Sequence, residues 1–198
     1  MKISIIDLGS QYTHVIWRSM RDIGVEAVIQ KPTVPAADAD FFDAYILSGG
    51  PSSVSKLKPS AAHRLLNLAK EGQSKKPILG ICLGHQLMAH VFGGEIGKGT
   101  SAEYGISEIE IDKEGFLLEN MPKKFNAWVS HFDEVKNLPP NFEALAHSST
   151  CKIEAMHHIS LPLFGLQFHP EVWHTEKGEK ILENFANICK KKAEQDGG

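Results

Sequence analysis

The chain contains the stretch Pro77-Ile78-Leu79-Gly80-Ile81-Cys82-Leu83-Gly84-His85, in which an apolar run passes directly into a helical pattern. The run Ile78–Leu83 has the length and composition of a buried strand, and His85–Phe92 has the pattern of a short helix. A strand that is apolar on both sides and leads straight into a helix favours a parallel sheet covered on both faces. This stretch therefore predicts an α/β fold.

The other elements are predicted from the same periodicities, and Ile106–Ile111 alternates polar and apolar residues as a half-exposed antiparallel strand does. We expect an open, mainly parallel mixed sheet with helices on both faces and an antiparallel strand extension. The predicted strands are Lys2–Asp7, Val25–Ile29, Ala44–Leu47, Ile78–Leu83, Ile106–Ile111, Phe125–Val129, Phe142–Ala146, Lys152–Met156 and Phe164–Phe168. The predicted helices are Tyr12–Ile23, Ala61–Ala69, His85–Phe92 and Glu176–Lys190.

Length and composition exclude several classes of protein. The 198 residues fit one domain, which we place at 1–190 with a flexible tail at 191–198. A formal net charge of −3 gives no basic excess for nucleic acid, and no apolar run reaches the length of a membrane span. The three cysteines, Cys82, Cys151 and Cys189, fit neither a disulfide framework nor a paired CxxC site. Free thiols in a reducing cytoplasm are expected.

Gly80-Ile81-Cys82-Leu83-Gly84 has the G-x-nucleophile-x-G form of a strand-to-helix elbow, with cysteine in place of serine. Glycines beside the central residue avoid side-chain clashes on a tight turn. The N-terminus of the following helix favours a thiolate, and its backbone N–H groups are free to bind an oxyanion. The alternative is that Cys82 is a small buried hydrophobic residue at a strand end.

His169-Pro170-Glu171 offers the base that a cysteine nucleophile needs and a group that orients it. Proline disfavours the helical region for the residue before it, so His169 is expected to be extended, at the end of the strand Phe164–Phe168. Residues two apart in an extended chain project to the same side, so Glu171 is expected beside the imidazole. A capped turn with a surface histidine is the alternative.

Ser48-Gly49-Gly50-Pro51-Ser52 follows another apolar strand. Because glycine lets a backbone N–H approach a reacting carbonyl closely, Gly50 is a candidate oxyanion donor together with the N–H of Leu83. A plain turn is the alternative. Gly97–Ala102 fits G-x-G-x-x-A without a strand–helix frame, and no P-loop, HExxH or CxxC pattern occurs, so neither a dinucleotide nor a metal is expected.

Taken together, SGGP, GICLGHQ and HPE resemble the class I glutamine amidotransferase family in order and spacing. The resemblance implies that Cys82 attacks the glutamine side-chain amide to form a γ-glutamyl thioester, that His169 acts as base and then acid, and that Glu171 orients it. It implies an oxyanion hole at Gly50 and Leu83. It further implies that glutamine is held by Gln86, Ser130 and His131, with Ser52 as an additional candidate.

Within that family, Asp7–Tyr12, Ser48–Ser53 and Ser130–Val135 are similar to the glutaminase part of GMP synthetases. The SGGxDS loop that binds ATP pyrophosphate in their synthetase half has no counterpart here. The resemblance therefore implies a stand-alone, archaeal-type subunit without a cofactor of its own. Its partner would be a separate ATP-pyrophosphatase subunit, with ATP and Mg²⁺, that receives ammonia and converts XMP to GMP.

Three alternatives remain open on the sequence. The first is an amidotransferase subunit for another acceptor, for example in anthranilate-type synthesis, against which the GSQY and SHFDEV segments argue. The second is a Cys-His hydrolase of γ-glutamyl compounds or peptides, against which Gln86 directly after the elbow argues. The third is a binding module with a degenerate site, which the filled triad positions disfavour.

Overall fold

The computed structural model describes residues 1–35 and 41–196, and nine strands within them form one sheet in the order β2-β1-β3-β4-β9-β8-β7-β5-β6. The strands are β1 Lys2–Ile6, β2 Glu26–Gln30, β3 Ala44–Leu47, β4 Ile78–Ile81, β5 Glu95–Ile111, β6 Lys124–Asn137, β7 Phe142–His147, β8 Ala155–His158 and β9 Leu163–Leu166. The helices are α1 Thr13–Asp22, α2 Ala61–Lys70, α3 Leu83–Phe92 and α4 Gly178–Asp196.

The first five strands in this order are parallel, and their side chains alternate between two hydrophobic clusters. On one face Ile3 and Ile5 of β1 pack with apolar residues of α1 and α4, and on the other Ile6 packs with those of α2 and α3. Successive residues of a strand point to opposite faces, so a strand covered on both sides is apolar along most of its length. The predicted α/β class with helices on both faces is confirmed.

The antiparallel extension consists of β8, β7, β5 and β6. Its main feature is the hairpin of β5 with β6, in which β5 is 17 residues long, whereas Ile106–Ile111 alone was predicted. Most of Glu95–Glu108 is exposed or half-buried, with a register shift between Lys98 and Glu103. A ribbon that extends beyond the core has no buried face to impose an alternating pattern, so sequence periodicity does not reveal it.

Several predicted boundaries shift. The strands predicted at Lys152–Met156 and Phe164–Phe168 are found at Ala155–His158 and Leu163–Leu166, and α3 begins at Leu83 instead of His85. The last helix runs from Gly178 to Asp196, so residues 191–196 of the predicted tail are helical, while 197–198 lie outside the described residues. Over the described part of the chain, no helix combines the length and apolar character that crossing a membrane requires.

Candidate active site

Four segments meet where the parallel strands end. The carboxyl ends of β1, β3, β4 and β9 lie at the same edge of the sheet because these strands run in the same direction. The segments that follow them are Asp7–Tyr12, Ser48–Ser53, Cys82 and Gln167–Glu171. Sites in open α/β sheets form in the crevice at this edge.

Cys82 occupies a sharp elbow between β4 and α3. Its φ is 50° and its ψ −104°, a backbone conformation that L-residues rarely adopt and that is typical of functional sites. A Cβ on Gly84 would lie 2.3 Å from the carbonyl oxygen of Leu47, and one on Gly80 would lie 2.5 Å from that of Gly84. Both flanking glycines are therefore required by close backbone contact, as the elbow pattern predicts.

The helix that follows Cys82 presents free N–H groups to the site. The backbone N–H of Gln86 donates to the carbonyl oxygen of Cys82 at 3.0 Å, which begins the hydrogen bonding of the helix. The N–H of Leu83 precedes this first bond and has no intrahelical acceptor. Because the N-terminus of a helix carries partial positive charge, it favours negative charge on the thiol and on a bound oxyanion.

Cys82, His169 and Glu171 come together as a buried chain of contacts. His169 Nδ1 lies 2.9 Å from Glu171 Oε1, and the imidazole is also hydrogen-bonded to the Cys82 side chain. Since Nδ1 contacts Glu171, the other ring nitrogen, Nε2, is the one available to the thiol. Burial lowers the pKa of His169, but Glu171 and Cys82 together hold it well above its ordinary value of 6.5. The contacts with Glu171 and Cys82 therefore favour the imidazolium form of His169.

The segment from His169 to Glu171 differs from the predicted extended chain. His169 makes a bridge to Trp128 of β6, with its N–H donating to the Trp128 carbonyl at 2.9 Å, but Pro170 and Glu171 form a turn. The N–H of Val172 approaches the His169 carbonyl at 3.4 Å. The expected contact between His169 and Glu171 is present, but a turn and not strand periodicity brings the carboxylate back to the ring.

Thr175 fixes this turn, and sequence reasoning missed it. Its hydroxyl donates to the carbonyl of His169 at 2.6 Å and accepts the N–H of Trp128 at 3.0 Å. One buried side chain thus joins β6 to the residue that carries the imidazole. No motif in the sequence indicates this role, because it depends on the pairing of His169 with Trp128.

The loop after β3 places Gly50 against Leu83. A Cβ on Gly50 would lie 2.4 Å from the carbonyl oxygen of Leu8 and 2.8 Å from Cδ2 of Leu83. The Ser48 hydroxyl accepts the N–H of Leu8 and donates to the Gly49 carbonyl, both at 2.8 Å. These contacts tie the loop to the segment after β1 and bring both predicted oxyanion donors beside Cys82.

Two cavities adjoin at Cys82, of about 340 and 480 Å³. The residues lining both are Gly50, Pro51, Cys82 and Ser130. The smaller cavity is completed by Gly9, Ser10, Gln11, Tyr12 and His169. The larger is completed by Ser52, Ser53, Lys56, Leu83, Gln86, Ala102, Glu103, Tyr104, His131, Phe132 and Asp133. The four residues predicted to hold substrate therefore line one cavity together with the thiol.

These four residues contribute in different ways. The Gln86 amide nitrogen donates to the Asp133 carbonyl at 2.6 Å and to Gln167 Oε1 at 3.1 Å, so it braces the wall of the cavity. The Ser130 carbonyl oxygen lies 3.8 Å from Cys82 Sγ. The His131 imidazole is almost completely buried, with Nε2 2.9 Å from Oε2 of Glu103, which lines the same cavity. Ser52 is exposed at the rim.

Tyr12 also contacts His169, although it is not among the predicted site residues. Its ring meets the His169 ring edge-on, with centroids 5.3 Å apart. It lies in the segment after β1, whose position at the carboxyl end of a strand is the signal that points to it.

Behind the larger cavity lies a layer of buried polar side chains. Burial and, to a smaller extent, the charge of the neighbouring Glu103 raise the pKa of Glu154 to about 8. Burial, with a smaller contribution from His131, lowers the pKa of His85 to about 3. In this arrangement Glu154 and His85 are uncharged near neutral pH.

The profile of the family described as "Glutamine amidotransferase class-I" matches residues 4–189. The chain belongs to this family. The resemblance expected from SGGP, GICLGHQ and HPE is confirmed, and the amidotransferase fold accounts for the elbow and for the edge at which the three motifs meet. The roles of the individual residues remain predictions.

Relatives of this amidotransferase are named as a subunit of glutamine-hydrolyzing GMP synthase. The chain is 51% identical over 94% of its length to the protein so named from Pyrococcus abyssi (strain GE5 / Orsay), of which 98% is covered. It is 47% identical, also over 94% of its length, to the protein of that name from Methanocaldococcus jannaschii, of which 97% is covered. A crystal structure of a putative GMP synthase subunit from Thermoplasma acidophilum superposes with a TM-score of 0.90 at 32% identity, covering 100% of this chain and 98% of the other.

Proposed function

We propose that this chain is the glutaminase subunit of a GMP synthase: it hydrolyses the side-chain amide of glutamine and delivers ammonia to a separate subunit that converts XMP to GMP. The observation that carries the chemistry is the buried contact chain from Cys82 through His169 to Glu171 at the end of β4. The names of the relatives at 51% and 47% identity support XMP as the acceptor of the ammonia.

In the first step the proton of the Cys82 thiol is held on His169 Nε2, as the raised pKa of this histidine favours, and Sγ attacks the side-chain carbonyl carbon of glutamine. Glu171 stabilises the imidazolium that results. The imidazolium then returns its proton to the amide nitrogen, and ammonia leaves as the C–N bond breaks, which produces a γ-glutamyl thioester. In the second step His169 removes a proton from water, and the hydroxide attacks the thioester carbonyl carbon and displaces Sγ. The imidazolium returns the proton to Sγ, so that glutamate and the free thiol are formed.

The N–H groups of Leu83 and Gly50 are proposed to bind the oxyanion of both tetrahedral intermediates. Leu83 is at the N-terminus of α3, and Gly50 packs against its side chain. Preorganised donors of this kind contribute about 3–4 kcal/mol each to lowering the barrier. A side chain on Gly50 would displace the loop, because the Leu8 carbonyl occupies the space.

The larger cavity is proposed to hold glutamine, with Ser130 and the His131 backbone along one wall, Gln86 bracing it and Ser52 at the rim. Lys56 and Asp133, which carry opposite charges, line the same cavity. This pairing matches the charged amino and carboxylate groups of a free amino acid, and it favours glutamine over a peptide as substrate.

The partner is proposed to be an ATP-pyrophosphatase subunit that binds ATP and Mg²⁺. The relatives are each named as one subunit of their enzyme, which implies a further subunit in it. No cofactor is proposed for this chain, because thioester chemistry with Cys82, His169 and Glu171 requires none.

The test measures glutamate release by the purified chain, alone and with the candidate ATP-pyrophosphatase, XMP and ATP. Cys82→Ala should abolish release, whereas Cys189→Ala, which removes another buried thiol, should not. Release that rises with the partner and is accompanied by GMP supports the whole proposal. If glutamate is released but the partner does not change the rate, the glutaminase activity is supported and the role in GMP synthesis is rejected. Absence of release under every condition would reject both.

A further inference from the structure

A group of buried side chains beside the larger cavity has no part in the proposed reaction, in which His131 contributes only its backbone. His131 of β6 meets Cys151 and Glu154 from the segment between β7 and β8, and one donor atom of each lies within 4.8 Å of the others. Glu103 of β5 approaches from the side, with Oε2 2.9 Å from His131 Nε2. Three segments of the antiparallel part thus converge on one point.

The group has unused hydrogen-bonding capacity. Among the described residues, the two carboxylate oxygens of Glu154 and Nδ1 of His131 are buried without a hydrogen-bond partner, whereas Nε2 of His131 lies 2.9 Å from Oε2 of Glu103. Glu154 is completely buried. Polar atoms are rarely buried in this way, because each unpaired group costs about 1–3 kcal/mol. Several such atoms around one point indicate that a ligand is expected there.

The backbone around the group is fixed. The N–H of Cys151 donates to Ser148 Oγ at 3.0 Å, and the Ser148 N–H donates to the Cys151 carbonyl at 2.8 Å. The Glu154 N–H donates to Ala146 at 2.9 Å, and its carbonyl accepts the Gln167 N–H at 2.7 Å. The donor side chains therefore project from an ordered segment that is anchored on both sides.

We propose that His131, Cys151 and Glu154 form a structural site for a divalent zinc ion, with the carboxylate of the neighbouring Glu103 turning in as fourth ligand. Nitrogen, thiolate and carboxylate donors in four-coordinate tetrahedral geometry are typical of Zn²⁺. Bond lengths of about 2.0–2.3 Å require neighbouring donors to be about 3.5 Å apart, so the donor atoms of His131, Cys151 and Glu154, now within 4.8 Å of one another, close by about an ångström as the ion enters. The thiol and the carboxyl group release their protons on binding.

This site departs from the sequence expectation that no metal is bound. Cys151 and Glu154 are three residues apart, but His131 and Glu103 come from the long hairpin, so no CxxC or HExxH pattern indicates them. Because His131 directly follows Ser130, the ion would hold the wall of the larger cavity against the segment between β7 and β8. Its role is structural, since Cys82 is not among the ligands.

The test uses full-length Cys82→Ala protein, so that the reactive thiol cannot bind metal, with a non-thiol reductant. Zinc content and a Co²⁺ titration are measured in this parent and after addition of Cys151→Ser, Glu154→Gln or Cys189→Ser. The parent and Cys189→Ser should bind one ion per chain and show a thiolate-to-cobalt charge-transfer band. Cys151→Ser should lose the band, and Glu154→Gln should bind at least about 10-fold more weakly.

Failure of the parent to bind Zn²⁺ or Co²⁺ would overturn the proposal. Survival of the charge-transfer band in folded Cys151→Ser, checked by circular dichroism, would do the same. If Cys151→Ser does not fold, Glu154→Gln decides, because it preserves the thiol and the shape of the side chain. Unchanged affinity in that variant would reject the site.

Discussion

The imidazole Nδ1 of His169 lies 2.9 Å from the carboxylate Oε1 of Glu171, and both side chains are almost completely buried. The two residues are separated by Pro170 alone, and the turn between them makes the contact possible. A buried carboxylate at this place selects the tautomer that presents Nε2 to Cys82 and stabilises the imidazolium.

Glu171→Gln preserves the shape of the side chain but removes its charge. We expect kcat/KM for glutamine hydrolysis to fall by about 10²- to 10⁴-fold, the range over which general acid–base catalysis contributes. The measurement is steady-state glutamate release. The matched control is Glu114→Gln, an exposed carboxylate outside the site, which should retain full activity. Equal activity of Glu171→Gln and wild type would show that the carboxylate does not orient the base.

The same variant should change how stability depends on pH. The pKa of His169 in the folded chain is above its ordinary value of 6.5, so its imidazolium stabilises the fold. This contribution is fully present below about pH 6.5 and is lost as the pH rises through the raised pKa. Denaturant unfolding should therefore show a wild-type advantage over Glu171→Gln that shrinks with rising pH. An advantage that grows with pH would contradict a raised pKa.

Gly84→Ala should destabilise the chain and impair the elbow. Its Cβ would lie 2.3 Å from the Leu47 carbonyl oxygen, so β3 or α3 must move. Overpacking of this kind costs about 1–3 kcal/mol. The free energy of unfolding in denaturant measures the loss, with Gly115→Ala as control, because a Cβ there meets Leu145 at an ordinary 3.5 Å. Equal stability of the two variants would refute the close contact.

Thr175→Val removes a hydroxyl that contacts the backbone of two segments. The His169 carbonyl and the Trp128 N–H each lose a partner, and we expect a loss of about 1–3 kcal/mol per unsatisfied group. Hydrolysis should fall as well, because His169 is less firmly placed. Thermal unfolding and glutamate release are measured together. Thr100→Val, which changes an exposed threonine, should affect neither, and a neutral Thr175→Val would show that the anchor is dispensable.

Tyr12→Ala removes the ring that contacts His169 edge-on. Aromatic pairs of this geometry contribute about 0.5–1.5 kcal/mol, so kcat should fall by about 2- to 12-fold. Tyr12→Phe retains the ring and should remain close to wild type. If Tyr12→Phe loses as much activity as Tyr12→Ala, the hydroxyl and not the ring contact is the important feature.

Sequence reasoning was most successful for the parallel part of the sheet. The strand Ala44–Leu47 is found with the predicted bounds. The strand predicted at Ile78–Leu83 is found at Ile78–Ile81, because Cys82 forms the elbow and Leu83 begins the helix. Sequence reasoning was least successful for β5, because Glu95–Gly105 pairs with β6 outside the core and lacks an apolar face. Hydrophobic periodicity in a sequence arises where one face of an element is buried, so a β-ribbon with little buried surface has no clear periodicity.

Sequence patterns were sufficient to predict the α/β class and the elbow at Cys82, because both depend on neighbouring residues and local backbone geometry. They also predicted the contact of His169 with Glu171, although through an extended chain and not through the turn that forms it. The tertiary structure alone decided what faces Cys82. Strand order brings β9 beside β4 and so places His169 against the thiol. The same order joins Thr175 to Trp128 and gathers His131, Cys151 and Glu154. These contacts join distant parts of the chain, and their geometry is set by the packing of the whole sheet.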